Sequence, residues 1–200
     1  MTDTPTAAPA RSAHQVLERL FQLHPKLFGA RFLPLKLGAF EDLMARHPGE
    51  FSKDELKAAL GFHARSTRYL EAVATQMKRY DLDGQAVEDV APEHVFHAIM
   101  ETWRRRQARS KQDLKPWVLE RLSRAISASG LDRDAWLERV QPRDDVAFAL
   151  IQEAFAAQAG AQAKREAMRR AFEASGATPE AFAEMYGLPL SEVRALLQPA

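Results

Sequence analysis

The chain has no cysteine, and this absence excludes several kinds of site. Without thiols there is no disulfide framework, no thiolate-ligated zinc and no cysteine nucleophile. The 200 residues also contain no apolar run that approaches the roughly 18 residues of a membrane-spanning helix. The N-terminal segment lacks the hydrophobic core of a signal peptide, so we expect a cytoplasmic protein without a membrane partner.

Net charge is also nearly absent, because 28 lysines and arginines balance 27 acidic residues to leave +1. The distribution of the charges is uneven. Residues 26–79 contain ten basic and six acidic residues, whereas residues 80–102 contain six acidic residues and no basic one. The next segment, "RRRQARSK", is basic again and either extends a positive surface or forms a solvated helix end. A local basic excess is compatible with a nucleic-acid partner despite the small net charge.

Motifs for catalysis and for metal binding are missing. Adjacent carboxylates such as Glu41 and Asp42 diverge on a helix, so they do not form an acid–base pair. There is no phosphate-binding loop or dinucleotide fingerprint. His94 and His97 lie three residues apart, but no second pair of ligands has a matching spacing, which favours a structural role. We therefore predict no enzymatic activity, no metal and no cofactor.

Capping residues predict several helices in the first half of the chain. Ser12 precedes the amphipathic "AHQVLERLFQLHP", and Ser66 precedes "TRYLEAVAT". In "SKDELKAAL", Ser52 and Glu55 have the spacing of a capping box. A further helix is predicted to start after Pro34 in "PLKLGAFEDL", since proline suits a first helical turn.

The remaining segments predict one β-hairpin and a helical second half. The dipeptide 83–84, Asp-Gly, lies between "RYDL" and "QAVEDV" and is typical of a hairpin turn. From about residue 111 all segments have helical periodicity, with Gly130, Gly160 and Gly176 as predicted breaks. The chain is thus predicted to be mainly α, with a disordered arm at 1–11, a domain at 12–110 and an all-α C-terminal extension at 111–200.

The basic excess is concentrated on what we predict to be one surface. Lys53 and Lys57 are four residues apart and share a helix face. Arg68 and Tyr69 fall in the first turn of the helix capped by Ser66, where free N–H groups and the helix dipole favour an anion. The alternative is that the charges are ordinary solvated side chains and that the tyrosine is a half-buried core aromatic.

Four motifs in this part of the chain resemble, in order, the ProQ/FinO family of bacterial RNA-binding proteins. They are "PLKLGAFEDL", "SKDELKAAL", "RYL" and "YDLDGQAVEDVAPEHVFHA", within residues 15–104. The resemblance implies a mostly helical domain with a small β-hairpin that acts as an RNA chaperone. It also implies binding of structured RNAs, notably terminator hairpins with a single-stranded 3′ uridine tail, in support of small-RNA-mediated post-transcriptional regulation.

The resemblance also implies a set of RNA-binding residues. Transferred by position, they are Lys36, Lys53, Lys57, Arg68, Tyr69 and Arg79, with the helix N-terminus at Ser66 receiving the 3′ end of the RNA. The chain departs from the family pattern at two positions: Leu33 replaces a frequent basic residue and Thr67 a frequent aromatic one. Both departures bear on the affinity and on the choice of RNA.

The C-terminus suggests two alternative functions. Ala183, Gly187 and Val193 have the spacing of a helix-turn-helix, in which the glycine forms the turn. A DNA-binding regulator is one alternative, although the second helix has a single basic residue, Arg194. The other alternative is a protein-interaction adaptor whose C-terminal helices bind a protein partner.

Overall fold

The structure is a computed structural model that describes residues 11–76 and 78–197. Within these ranges it contains eleven helices and one two-stranded antiparallel sheet, which confirms the mainly α fold with a small hairpin. The elements are α1 Ala13–Leu23, α2 Pro25–Phe28, α3 Ala39–Arg46, α4 Lys53–Ala64, α5 Thr67–Gln76, β1 Lys78–Tyr80, β2 Ala86–Asp89, α6 Pro92–Gln107, α7 Lys115–Ser129, α8 Arg133–Val140, α9 Asp145–Ser175, α10 Pro179–Tyr186 and α11 Leu190–Leu196. No helix in the described ranges has the length and apolarity needed to cross a bilayer.

The three predicted serine caps are confirmed. Ser12 begins α1, and Ser52 begins α4 in a capping box with Glu55. The hydroxyl of Ser66 accepts a hydrogen bond of 3.2 Å from the N–H of Tyr69 at the start of α5. Each serine thus satisfies an N–H group that has no acceptor inside its own helix.

The helix predicted to start after Pro34 begins five residues later, at Ala39. The intervening segment pairs instead with β1: the N–H of Tyr80 donates to the Pro34 carbonyl at 2.8 Å, and the N–H of Lys36 donates to the Tyr80 carbonyl at 2.9 Å. Gly38 then takes a φ of +81° and turns the chain into α3. The prediction was wrong because β1 supplies backbone partners that a local pattern does not reveal.

The predicted hairpin is present between β1 and β2. One carboxylate oxygen of Asp81 accepts hydrogen bonds from the N–H groups of Asp83 at 3.0 Å and Gln85 at 2.9 Å. Gly84 lies between them with a φ of +77°, a conformation that favours glycine. The turn therefore follows from its local sequence.

Two main apolar clusters hold the protein together. The N-terminal cluster joins α1 to α4 and includes Leu20, Leu43 and Leu56. The central cluster joins α5 and α6 to α7, α8 and α9, and it includes Ile99 and Trp136. The first three helices of the extension thus share a core with the domain that precedes them. The boundary predicted near residue 110 stays a prediction.

The C-terminal part confirms one prediction and corrects another. Helices α10 and α11 meet at Gly187 and bury Ala183 and Val193, as in a helix-turn-helix. Helix α9, however, continues through Gly160. A glycine inside a helix costs about 1 kcal/mol relative to alanine, and the alanine-rich flanks of α9 tolerate that cost.

The predicted arm at 1–11 lies outside the described residues except for Arg11, which pairs with Glu50 and Glu55.

Candidate nucleic-acid interface

The lysine pair of α4 is exposed as predicted. Lys53 and Lys57 lie one turn apart, and neither forms an ion pair with any of the described residues. Glu55 lies between them in sequence, but its carboxylate is bound by other residues. Backbone N–H groups of Arg11 and Ser52 donate to its carboxylate and lower its pKa to about 2. Both ammonium groups are therefore available to a phosphate.

Lys36 is already paired within the protein. Its ammonium group lies 2.7 Å from a carboxylate oxygen of Asp42, and this hydrogen bond is the main cause of its raised pKa. The side chain is half-buried. A phosphate at this position would have to compete with Asp42, so Lys36 is a weaker anion site than the two lysines of α4.

The N-terminus of α5 offers backbone donors beside two arginines. Because Ser66 caps the third N–H group of the helix, the N–H groups of Thr67 and Arg68 remain without an intrahelical acceptor. Arg105 of α6 reaches this turn and donates to the Arg65 carbonyl at 2.9 Å and to the Thr67 hydroxyl at 3.2 Å. Arg105 was absent from the predicted site, and the basic run "RRRQARSK" was its only signal in the sequence.

Arg68 is exposed and held in place by the loop after α2. Its guanidinium donates to the Ala30 carbonyl at 2.6 Å and stacks over Phe32, with 4.5 Å between Cζ and the ring centre. A guanidinium has five N–H donors, so a single hydrogen bond and a ring contact leave most of them for a ligand. The position of Arg68 is therefore compatible with direct contact to an anion.

Two predicted contact residues, Tyr69 and Arg79, lie in the interior instead. Tyr69 is 8% exposed, and its hydroxyl accepts a hydrogen bond of 2.9 Å from the N–H of Leu35, while burial raises its pKa. Arg79 is 9% exposed and donates to the Leu35 carbonyl at 2.8 Å and to Nδ1 of His94 at 3.0 Å. The tyrosine ring is thus closed to a stacked base in this structure, and both residues hold the segment that carries Lys36. The bond to His94 also assigns that histidine a structural role.

His63 lies beneath this surface in a cage of aromatic rings. Its ring centre is 4.9 Å from Phe28, 4.5 Å from Phe32 and 4.9 Å from Tyr69. Its Nε2 has no hydrogen-bond partner in the part of the chain that the structure describes. Burial, followed by the nearby charge of Arg68, lowers its pKa to about 4.

We expect this histidine to make stability depend on pH. Between about pH 6.5 and pH 4 the unfolded chain binds a proton at position 63, whereas the folded chain does not. Unfolding is therefore favoured as the pH falls through this window, and the free energy of unfolding decreases by about 3 kcal/mol at pH 4. Urea denaturation at pH 7 and at pH 4 measures the loss. The variant His63→Phe should lose correspondingly less stability, and an equal loss in both proteins would contradict the prediction.

The three consecutive arginines at the end of α6 form ion pairs or hydrogen bonds with neighbouring helices. Arg104 lies 2.5 Å from Asp144 of the α9 cap, Arg105 reaches the start of α5, and Arg106 lies 2.6 Å from Glu71 of α5. All three arginines of this run are thus paired within the protein, although Arg104 and Arg106 remain exposed. Arg104, through Asp144, and Arg106, through the Trp117 ring, also connect α6 to the extension.

The C-terminal helices and the histidines are weaker candidates for a ligand-binding site than the surface around α4 and α5. Arg194 lies 3.0 Å from a carboxylate oxygen of Glu180, so the only basic residue of α11 is paired inside the motif. Among residues 11–76 and 78–197, no group of three or more histidine, aspartate or glutamate side chains is placed to hold a metal ion. The exposed basic surface around α4 and α5 is the strongest candidate site.

Comparisons with known proteins find relatives of the first half of the chain. A model of the ProQ/FINO family matches residues 10–115. An RNA chaperone ProQ of Shewanella frigidimarina is 38% identical over 89 residues, which cover 42% of this chain and 44% of that protein. The chain thus spans less than half the length of this curated relative. The solution structure of a ProQ homolog from Legionella pneumophila is 29% identical with a TM-score of 0.38, and the match covers 57% of this chain and 99% of that one.

Proposed function

The chain belongs to the ProQ/FinO family, and we propose that it is a non-enzymatic RNA chaperone that binds structured RNA in the cytoplasm. One observation supports this function above the others. The exposed lysines of α4, Lys53 and Lys57, form no ion pair with the residues that the structure describes, and α4 leads directly into the N-terminus of α5. Exposed lysines on the helix that precedes a helix N-terminus with backbone donors are suited to a phosphate backbone and its end.

The shape of RNA limits how this surface can recognise it. Duplex RNA has a deep and narrow major groove that side chains do not read, so contacts fall on phosphates and on 2′-hydroxyls. We propose that the lysines of α4 contact the backbone of a hairpin stem. The start of α5 would receive the single-stranded 3′ tail, through the N–H groups of Thr67 and Arg68 and the guanidinium groups of Arg68 and Arg105. Terminator hairpins of small RNAs have this combination of stem and uridine tail.

Tyr69 and Arg79 contribute indirectly in this proposal. Both bind the backbone of Leu35 from the interior, and Leu35 precedes Lys36. They would therefore determine where Lys36 and its partner Asp42 lie relative to the RNA. Ser66 acts through its cap, which orients the first turn of α5.

A binding measurement with three nucleic acids tests the function. Fluorescence anisotropy with a terminator-type hairpin that ends in a free uridine tail should show tight, salt-sensitive binding. The same RNA with a 3′ phosphate should bind at least about tenfold more weakly, because it lacks the free 3′-hydroxyl that the start of α5 is proposed to recognise. Duplex DNA lacks both the 2′-hydroxyl and the tail, so it should bind more weakly still.

The measurement with duplex DNA also tests the alternative function, which is DNA binding through α10 and α11. Equal or tighter binding to duplex DNA, unaffected by the 3′ phosphate, would contradict the proposal. Such a result would direct attention to the C-terminal helices, despite the pairing of Arg194 with Glu180.

A further inference from the structure

A cleft between the first half of the chain and the extension is lined by four arginines. It has a volume of about 280 Å³ and lies between α5, α6, α7 and the loop after α2. The arginines come from these four elements and are Arg31, Arg68, Arg106 and Arg121. They are brought together by the fold alone, since 90 positions separate the first from the last.

The charges in the cleft are not balanced. Glu71 is the only carboxylate in its lining, and it pairs with Arg106 at 2.6 Å. Arg31, Arg68 and Arg121 form no ion pair with any residue that the structure describes. Within the described ranges, the cleft thus presents three guanidinium groups that are not engaged in an ion pair. A cluster that served only to pack α7 against α5 would be expected to neutralise its charges, because like charges repel.

One aromatic ring, that of Trp117, contacts two of the four arginines of the cleft without using their N–H donors. Arg121 of α7 and Arg106 both stack on Trp117, with 4.7 Å and 4.9 Å from Cζ to the ring centre. A cation held by a ring face keeps its N–H groups for another acceptor. Burial lowers the pKa of Arg121, the charges of Arg106 and Arg124 lower it further, and Glu71 and Glu120 offset this only in part. A bound anion would relieve this repulsion.

We propose that this arginine cleft binds a phosphodiester group of the RNA backbone, so that the RNA continues from α5 onto α7. The proposal rests on the RNA-binding function proposed above. Guanidinium groups recognise phosphate oxygens in a forked, bidentate geometry, and several of them around one cleft suit one or two adjacent phosphates. Arg68 belongs both to this cleft and to the start of α5, which makes the two sites continuous. Arg121 lies beyond residue 115, where the family match ends.

Two arginines of α7 provide a matched test in the full chain. The variant Arg121→Gln removes a charge from the cleft, whereas Arg124→Gln removes one from the same helix outside it. Arg124 has a side chain that is 75% exposed and pairs with Glu120 one turn away. With the uridine-tailed hairpin, Arg121→Gln should bind about three- to tenfold more weakly, and Arg124→Gln should stay within about twofold of the unchanged protein.

Salt dependence separates a phosphate contact from a packing effect. Loss of one phosphate contact lowers the slope of log K against log salt concentration by about one, and loss of packing does not. We expect this change for Arg121→Gln and not for Arg124→Gln, while Arg121→Lys should keep the slope. Thermal unfolding of each variant checks that the fold is retained.

Three results would overturn the inference. If the unchanged protein binds no RNA, the proposed function fails and the inference fails with it. If the unchanged protein binds RNA but both glutamine variants behave alike, the cleft is not a phosphate site, although RNA binding stands. If Arg121→Gln weakens binding at an unchanged salt slope, Arg121 acts through packing on Trp117 alone.

Discussion

Charge reversal of both exposed lysines of α4, by Lys53→Glu and Lys57→Glu, is expected to weaken RNA binding about 100-fold or more. Both side chains are exposed and lack an ion-pair partner within the described ranges, so no internal contact compensates for their loss. A hydrogen bond to a charged group contributes about 1.5–3 kcal/mol, and each 1.4 kcal/mol corresponds to about tenfold in affinity. Fluorescence anisotropy at several salt concentrations measures both the affinity and its salt slope, which should decrease by about two.

A control with the same change in net charge distinguishes a local site from general attraction. Arg133 and Lys164 are exposed residues of α8 and α9 in the extension. Reversal of both, by Arg133→Glu and Lys164→Glu, alters the net charge of the protein by the same amount. We expect this variant to lose no more than a few-fold in affinity, since only long-range attraction changes. An equal loss in the two double variants would show that RNA does not bind at α4.

Replacement of Trp136 by alanine is expected to lower the free energy of unfolding by about 3–5 kcal/mol. Trp136 of α8 is 0% exposed and belongs to the largest fully buried side chains of the described residues. Its removal leaves a cavity where α8 meets Val95 of α6 and Ala125 of α7, next to the groove that these residues line. Typical domains have a stability of about 5–15 kcal/mol, so the loss is a large part of the total.

The loss of stability in Trp136→Ala should extend beyond α8, because the central cluster contains residues of α5 and α6 as well. Guanidinium denaturation monitored by circular dichroism should show α5 to α9 unfolding as one cooperative unit, shifted to lower denaturant in Trp136→Ala. The variant Trp136→Phe keeps an aromatic ring and should lose markedly less stability. The indole N–H has no hydrogen-bond partner among the described residues, so its removal by phenylalanine breaks no such bond. A loss below about 1 kcal/mol for alanine would contradict the packing of α8 against α6 and α7.

Local signals in the sequence were sufficient to predict several elements. The serines at 12, 52 and 66 predicted helix starts correctly, because a cap acts on N–H groups within three residues of itself. The Asp-Gly turn at 83–84 predicted the hairpin for the same reason, since its hydrogen bonds span at most four residues. The exposure of Lys53 and Lys57 also followed from spacing, because the buried face of α4 contains the apolar residues Leu56 and Ala59.

Features that depend on distant partners were decided by the tertiary structure. The segment after Pro34 looked helical, but β1 pairs with it from more than 40 residues away. Tyr69 resembled a contact residue by position, yet its hydroxyl binds the backbone of Leu35 inside the protein.

The sequence by itself determined the capped helices, the hairpin and the exposed lysines of α4, each through contacts within about one helical turn. Only the tertiary structure decided which charged side chains are paired and which remain available. Arg106 is paired because Glu71 of another helix faces it, whereas Arg121 forms no ion pair among the described residues, whose lining of the cleft includes no second carboxylate. The physical reason is that burial and charge neutralisation depend on neighbours in space, and Glu71 and Arg106, for example, lie 35 positions apart in the chain.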